Sequence, residues 1–355
     1  MALQIGIVGL PNVGKSTLFQ ALTKTAVPAE NFPFCTIDPN VGVVAVPDER
    51  LAQLSPLVKT DVVVPTTIEF VDIAGLVAGA HKGEGLGNQF LSHIREVDAI
   101  AEVIRVFDDP NVIHVAGKVD PTNDMETIHL ELMMADMQVL EKLMANNEKK
   151  ARGGDKTAIE ELDVMKLLWA ALENSELANT VELTERQEEI ARTFQLLTKK
   201  PFLFIANIEE GGTVDQIPAD IQALEPVLIS ARIEAELAQL DDADRDELME
   251  GYGMTETGLT KLIRRGYETL RLSTYFTAGE KEVHAWTITT GDTAPVAAGK
   301  IHSDFEEKFI RAEVVGYQDF IENGGWVGSR DNGKVRMEGK DYIVQDGDVM
   351  VFHHS

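Results

Sequence analysis

The 355-residue chain carries 32 Lys and Arg against 59 Asp and Glu, a formal net charge of −27 at pH 7, which excludes a generally basic nucleic-acid-binding surface and leaves only local patches for such contacts. Hydrophobic residues at 44 % and charged residues at 26 % exclude a disordered chain and suffice for two or three packed domains. No run nears the ~20 apolar residues of a membrane span, and the lone cysteine, Cys35, excludes an intramolecular disulfide framework and a multi-cysteine metal site. Met1–Leu10 places no basic residue ahead of its apolar stretch, so no secretory signal is expected. The expected location is the cytoplasm, with no membrane partner.

Apolar, β-branched runs recur at Leu3–Val8, Val41–Val46, Thr67–Asp72, Ala99–Phe107, Pro201–Asn207 and Pro226–Ser230, the texture of strands buried on both faces. Helical patterns such as Lys15–Thr25 and Asn88–Glu96 lie between them, so the fold class is α/β, a doubly wound sheet. The 93 residues between Phe107 and Pro201 far exceed a crossover. They are dense in helix formers over Asp124–Ala151, Lys156–Glu173 and Glu185–Thr198, with a turn at Gly153-Gly154. This predicts an inserted α-helical hairpin, coiled-coil-like, whose stripe of Met125, Ile128, Leu132, Ala135, Val139, Leu143 and Met144 reads as packing. Helical, acidic stretches follow at Glu234–Glu250, then a helix at Thr257–Leu270. From about Leu272 short strands are predicted at Val283–Thr289, Phe309–Tyr317, Lys334–Met337, Tyr342–Val344 and Val349–His353, with a short helix at Thr293–Gly299. The expected division is a nucleotide-type domain over 1–120 and 200–272, the helical insertion over 121–199, and a small α+β module over 273–355.

Gly9-Leu10-Pro11-Asn12-Val13-Gly14-Lys15-Ser16 fits the phosphate-loop pattern, after a predicted strand and opening a predicted helix. Glycines let the backbone wrap a phosphate, and N–H groups at the helix start supply donors and a favourable dipole. Asn12, Val13, Gly14, Lys15, Ser16 and Thr17 are therefore the candidate phosphate-binding residues, with Lys15 reaching the β- and γ-phosphates and Ser16 on Mg²⁺. Asp72-Ile73-Ala74-Gly75 ends another strand. Asp72 there suits Mg²⁺, directly or through water, and the Gly75 N–H suits a γ-phosphate. Thr36, between the two elements, is the candidate second hydroxyl ligand. The residue after Gly75 is Leu76, where Ras-like enzymes place a water-positioning Gln, so slow intrinsic hydrolysis is expected. His81, His93 and His114 are the imidazoles nearest the motif; each reads first as structural, and His114 is carried as the catalytic candidate beside Lys15 and Gly75.

Pro201–Asn207 leads into Asn207-Ile208-Glu209-Glu210, where GTPases of this fold have N-K-x-D. The extra methylene of Glu210 displaces the carboxylate that would pair with guanine. Asn207 both donates and accepts, as adenine N6 and N7 require. Asn207, Ile208 and Glu210, with Ser230 and Ala231 from the next strand end, form the candidate base site, and ATP is expected over GTP.

These residues together resemble the Obg-like ATPase family, also called YchF, within the translation-factor class of P-loop NTPases. The resemblance rests on Gly9–Thr17, Asn31–Asn40, Val71–Gly79, Lys82–Asn88, Asn207–Glu210 and Thr274–Trp286. It implies a helical insertion in the nucleotide domain, a C-terminal TGS domain of β-grasp shape, ATP preference and association with the ribosome. It also implies a supporting K⁺ site at Asn12.

Two readings of function follow. One is a slow, Mg²⁺-dependent ATPase switch in which ATP orders the loops bearing Thr36 and Gly75. The other is a nucleotide-gated scaffold or RNA-binding protein in which hydrolysis is incidental. Two local basic patches could contact RNA: Lys261, Arg264, Arg265 and Arg271, and Arg330, Lys334, Arg336 and Lys340. A small-molecule kinase would need an Arg-rich lid, which the sequence lacks. Cys35 reads as a buried thiol, with redox sensing the alternative.

Overall fold

A computed structural model of the chain describes residues 3–24, 40–73, 86–109, 112 and 118–355. The chain divides into two compact units, one of residues 3–42 and 69–262, the other of residues 43–68 and 263–355.

The strands of the first part of the chain are β1 (Gln4–Val8), β2 (Val41–Ala45), β3 (Val63–Val64), β4 (Thr67–Asp72), β5 (Ala99–Arg105), β6 (Phe202–Asn207) and β7 (Val227–Ile229). All but β3 join one sheet in the order β2-β4-β1-β5-β6-β7. β1 runs parallel to β4 and β5, and β6 parallel to β5 and β7. Every residue of β5 is buried, as a central parallel strand requires. Helices α1 (Lys15–Lys24), α2 (Arg50–Val58) and α3 (Leu86–Glu96) lie between these strands in the chain. The expected α/β architecture is present, with all six predicted strands in place.

The long gap between β5 and β6 holds α4 (Pro121–Arg152), α5 (Lys156–Glu173) and α6 (Glu185–Thr193). Asp120 caps α4 by accepting from the Asn123 N–H, with Pro121 at the first helical position, and Asp155 caps α5; both are ordinary helix starts. Met133, Leu140, Leu162, Met165, Leu168 and Leu172 form the shared core, with Val139, Leu143 and Met144 packed on its edge. The methionine stripe is packing. The predicted third helix, Glu185–Thr198, stops at Thr193. Its tail turns instead to the buried Asp136 of α4, whose carboxylate accepts from the Leu197 and Thr198 N–H groups, both at 2.8 Å, and from the Thr198 hydroxyl at 2.6 Å. The acidic stretch predicted as Glu234–Glu250 is two helices. After α7 (Ala219–Gln222), α8 (Ala231–Leu237) ends before α9 (Asp242–Gly251) starts on an Asp241 cap.

The second unit carries β8 (Leu272–Ala278), β9 (Val283–Thr289), β10 (Phe309–Gly316), β11 (Arg336–Glu338) and β12 (Asp348–His354), following α10 (Gly258–Thr269) and with α11 (Ala294–Ile301) between β9 and β10. The sheet order is β11-β10-β12-β8-β9-β3. Tyr275, Ile288, Phe309, Val314 and Met350 pack with Ala294, Ala297 and Ala298 of α11. A second core joins Phe276, Val283, Val315, Phe320 and Val349 to Leu51 and Leu54 of α2. The predicted strand Tyr342–Val344 is reduced to a single bridge, Thr293 to Ile343.

The expected boundaries change in one respect. Residues 43–68, assigned by chain order to the nucleotide-type domain, belong to the second unit together with residues 263–272. β3 pairs in parallel with β9, and α2 supplies Leu51 and Leu54 to an apolar core. Pro56 inside α2 reads in sequence as a helix breaker; here it sits in the last turn, before Lys59 ends the helix in left-handed conformation at φ 60°.

Candidate nucleotide site

The phosphate loop lies between the carboxyl end of β1 and the start of α1, where ligands of open α/β sheets bind. Two positions fix its path. Gly14 has φ +99°, and a Cβ there would lie 2.2 Å from Asn207 Nδ2. Asn12 takes the left-handed region at φ 63°, which Asn tolerates better than most residues. Lys15 is 7 % exposed, and its Nζ donates to the carbonyls of Gly9 at 2.9 Å and Leu10 at 2.7 Å. Burial pushes its pKa down to about 8, with the Asp72 carboxylate opposing the shift. Burial likewise pushes Asp72 up, and Lys15 draws it back. Asp72 ends β4 beside Ile7 of β1, and Ser16 and Thr17 are exposed on the first turn of α1. Lys15, Asp72 and Ser16 are thus gathered at one end of the sheet.

A cleft of about 370 Å³ opens beside the loop. Gly14 and Thr17 form one wall, Asn207 to Glu210 and Ser230 to Arg232 the others, with Phe107, Asp108 and Asp109 closing the end. Ile208, Glu210, Ser230 and Ala231 therefore lie where the sequence places the base. Asn207 has a bracing role that its motif does not show. Its Nδ2 donates to the Val13 carbonyl at 2.8 Å and its Oδ1 accepts from the Ala231 N–H at 3.0 Å. With the side chain 4 % exposed, the amide braces the phosphate loop against the Ser230-Ala231 turn while it lines the cleft. The Ala231 N–H is committed to the same brace. Glu210 is exposed and hydrogen-bonds Tyr252, pushing the phenol up; Glu209 accepts from the Asp108 N–H at 3.1 Å.

Thr36, Gly75 and His114, with Cys35, Leu76 and His81, lie outside the described residues. Among the described residues no three His, Cys, Asp or Glu side chains group as a metal cage. Sequence reasoning missed Arg105, Phe107 and Tyr252. A lone Arg at a strand end carries no motif, yet Arg105 is 1 % exposed and stands directly behind the loop. The basic patches are ion-paired in part: Arg330 pairs with Glu313 at 2.8 Å, Lys334 with Asp319 at 2.9 Å and Arg336 with Glu338 at 3.2 Å, while Arg265 meets Glu268 at 3.6 Å.

Comparisons with known proteins agree along the whole chain. A family model described as "50S ribosome-binding GTPase" matches residues 4–142. A second, YchF-GTPase_C, described as "Protein of unknown function (DUF933)", matches residues 272–355. The chain is 53 % identical to "Ribosome-binding ATPase YchF" of Escherichia coli O157:H7 over 99 % of both proteins. It is 51 % identical to the protein of that name in Bacillus subtilis over the full length of both. To "Obg-like ATPase 1" of Danio rerio it is 43 % identical, over 99 % of this chain and 92 % of that protein. The structure of the Schizosaccharomyces pombe YchF GTPase superposes with a TM-score of 0.88 at 37 % identity, covering 99 % of this chain and 97 % of that one. With relatives of such identity spanning its full length, the chain belongs to the YchF family.

Proposed function

We propose that the chain is a Mg²⁺-dependent ATPase that prefers ATP to GTP and acts as a slow nucleotide switch on the ribosome, in the cytoplasm. One observation carries the reading: the cleft beside the phosphate loop is lined by Gly14 and Thr17 of that loop together with Asn207 to Glu210, so Glu210 borders the same site. The relatives are named both ATPase and GTPase, so the base edge has to decide. A Glu in place of the guanine-pairing Asp supports ATP. The relatives' name also supports the ribosome as partner.

Lys15 would leave the Gly9 and Leu10 carbonyls for the phosphates, its ammonium offsetting their charge. An exposed hydroxyl at Ser16, a carboxylate at Asp72 and the nucleotide's own oxygens are the hard donor set that Mg²⁺ favours. The ion would supply charge neutralisation at the β- and γ-phosphates. The sequence adds Thr36 as a further ligand, Gly75 at the γ-phosphate, and Asn12 beside K⁺. Leu76 supports slow turnover. For the second unit we propose the TGS assignment, and for α4 and α5 the coiled-coil-like insertion of the family.

Titration with ATP and GTP tests the base reading; a GTP affinity tenfold above that for ATP, about 1.4 kcal/mol, would sink it. Ribosome co-sedimentation with ATP, ADP or no nucleotide tests the switch. Pelleting that ignores nucleotide removes it, and a Lys15→Ala protein that still pellets normally favours the scaffold. Because at least half of the basic side chains in the two patches are held in ion pairs, the salt slope should correspond to few phosphates, roughly three or fewer.

A further inference from the structure

A phosphate loop presents its N–H groups inward, so the carbonyls of the same peptides turn outward into the protein and need donors of their own. Side chains meet four of them. Lys15 Nζ serves Gly9 and Leu10, Asn207 Nδ2 serves Val13, and Arg105 Nη1 serves Asn12 at 3.4 Å. The Arg105 bond is the longest of the four, but that guanidinium reaches further than the others. Its Nε donates to the Phe107 carbonyl at 3.1 Å. Nη1 and Nη2 both reach the Val112 carbonyl at 3.2 Å, and Nη2 reaches that of Asp109 at 3.5 Å. The guanidinium carbon lies 4.4 Å from the centroid of the Phe107 ring, a stacked cation–π contact.

We propose that Arg105 is a positioning residue of the nucleotide site, a buried clamp that locks the loop turn at Asn12 to the cleft wall at Phe107. The inference rests on the reading of this cleft as the nucleotide site. Only a planar fork of five donors joins four carbonyls on two separate segments, the loop at Asn12 and the stretch from Phe107 to Val112; the ammonium of Lys is a point with three. Asn12 holds a left-handed backbone, a conformation that persists where its surroundings enforce it. The clamp supplies that enforcement before the ligand arrives, and the buried cation behind the loop adds to the field that attracts an anion.

The test compares Arg105→Lys, which keeps the charge, and Arg105→Met, which keeps the volume, with the unaltered full-length protein. Kd for ATP, ADP and GTP is measured by titration with Mg²⁺, kcat and KM for ATP by turnover, and melting temperature without nucleotide. In the folded Arg105→Lys protein, ATP and ADP should each weaken at least fivefold, KM should rise in step, and the ratio of GTP to ATP affinity should move. kcat at saturation should stay within threefold, because uniform binding is what is lost. A merely structural role would lower the melting temperature and the active fraction and leave Kd of the folded fraction unchanged; that result, or any change in Kd below fivefold, overturns the proposal. Should Arg105→Met fail to fold, the Lys variant decides alone. If the unaltered protein binds none of the three nucleotides, the site reading falls and the clamp with it; if it binds and the variants bind equally, only the clamp falls.

Discussion

Lys15 sits in its pocket with a pKa near 8, and a γ-phosphate needs the ammonium. Two consequences follow from the sign of that shift. Between about pH 8 and the ordinary lysine value the unfolded chain holds more protons than the native one, so Lys15 makes the ligand-free protein more stable as pH rises through that window. ATP binding restores the proton. Calorimetry at pH 9 in buffers of different ionisation enthalpy should register uptake approaching one proton per ATP. Affinity should be roughly tenfold below its value at pH 7, and uptake should vanish near pH 6.5. Asn207 yields a prediction of a different kind. Asn207→Asp sets a carboxylate oxygen against the Val13 carbonyl, so ATP and GTP should both weaken by about 2 kcal/mol with their ratio unchanged. Glu210→Asp should move the ratio instead; paired titrations on the two variants check both. Phosphate-loop residues were legible because their chemistry depends on spacing along the chain. Asn207 was legible as a functional position but not in its role, which depends on a hydrogen bond to a residue 194 positions away. Arg105 was invisible for the same reason.

At the scale of elements, α4 meets the sheet at a buried polar contact. His129 Nε2 lies 2.8 Å from Glu102 Oε2, between the edges of Phe202 and Phe204. Glu102 is 0 % exposed, and among the described residues its Oε1 finds no hydrogen-bond partner. Removing the imidazole alone strips the carboxyl of its bond, so His129→Phe should cost about 2–4 kcal/mol. The double variant Glu102→Leu with His129→Phe should recover most of that, because an apolar pair needs no partner. Urea unfolding of the single and double variants measures the difference. The helical hairpin itself was readable, since its apolar period and its Asp caps are local. The end of α6 was not: continuing the helix past Thr193 competes with two N–H bonds to Asp136, and a tertiary acceptor won.

For the molecule as a whole, the placement of residues 43–68 is the feature that chain order conceals. Leu51 and Leu54 pack into a core built mainly from the C-terminal strands, among them Phe276, Val283, Val315 and Val349. Arg50 adds contacts at 2.8 Å to Asp48 and 2.7 Å to Asp346. A fragment of residues 273–355, the boundary that composition suggests, should expose that apolar face and show no cooperative thermal transition by circular dichroism. Supplying residues 43–68 as a separate peptide should restore one. Periodicity marks where an element lies; which core it enters depends on partners more than 200 residues away.

That interleaving also bears on how the protein is born. Residues 43–68 leave the ribosome long before residue 263, and at roughly 5–20 residues per second α2 waits about 15–60 s for the last of the strands that cover it. Through that interval the nascent chain carries an apolar helix with no core to enter, while the sheet strands on either side of it in sequence can already be pairing. The second unit can close only when synthesis is nearly finished, so a truncated product would display Leu51 and Leu54 uncovered, a ready mark for chaperones and proteases of an unfinished chain.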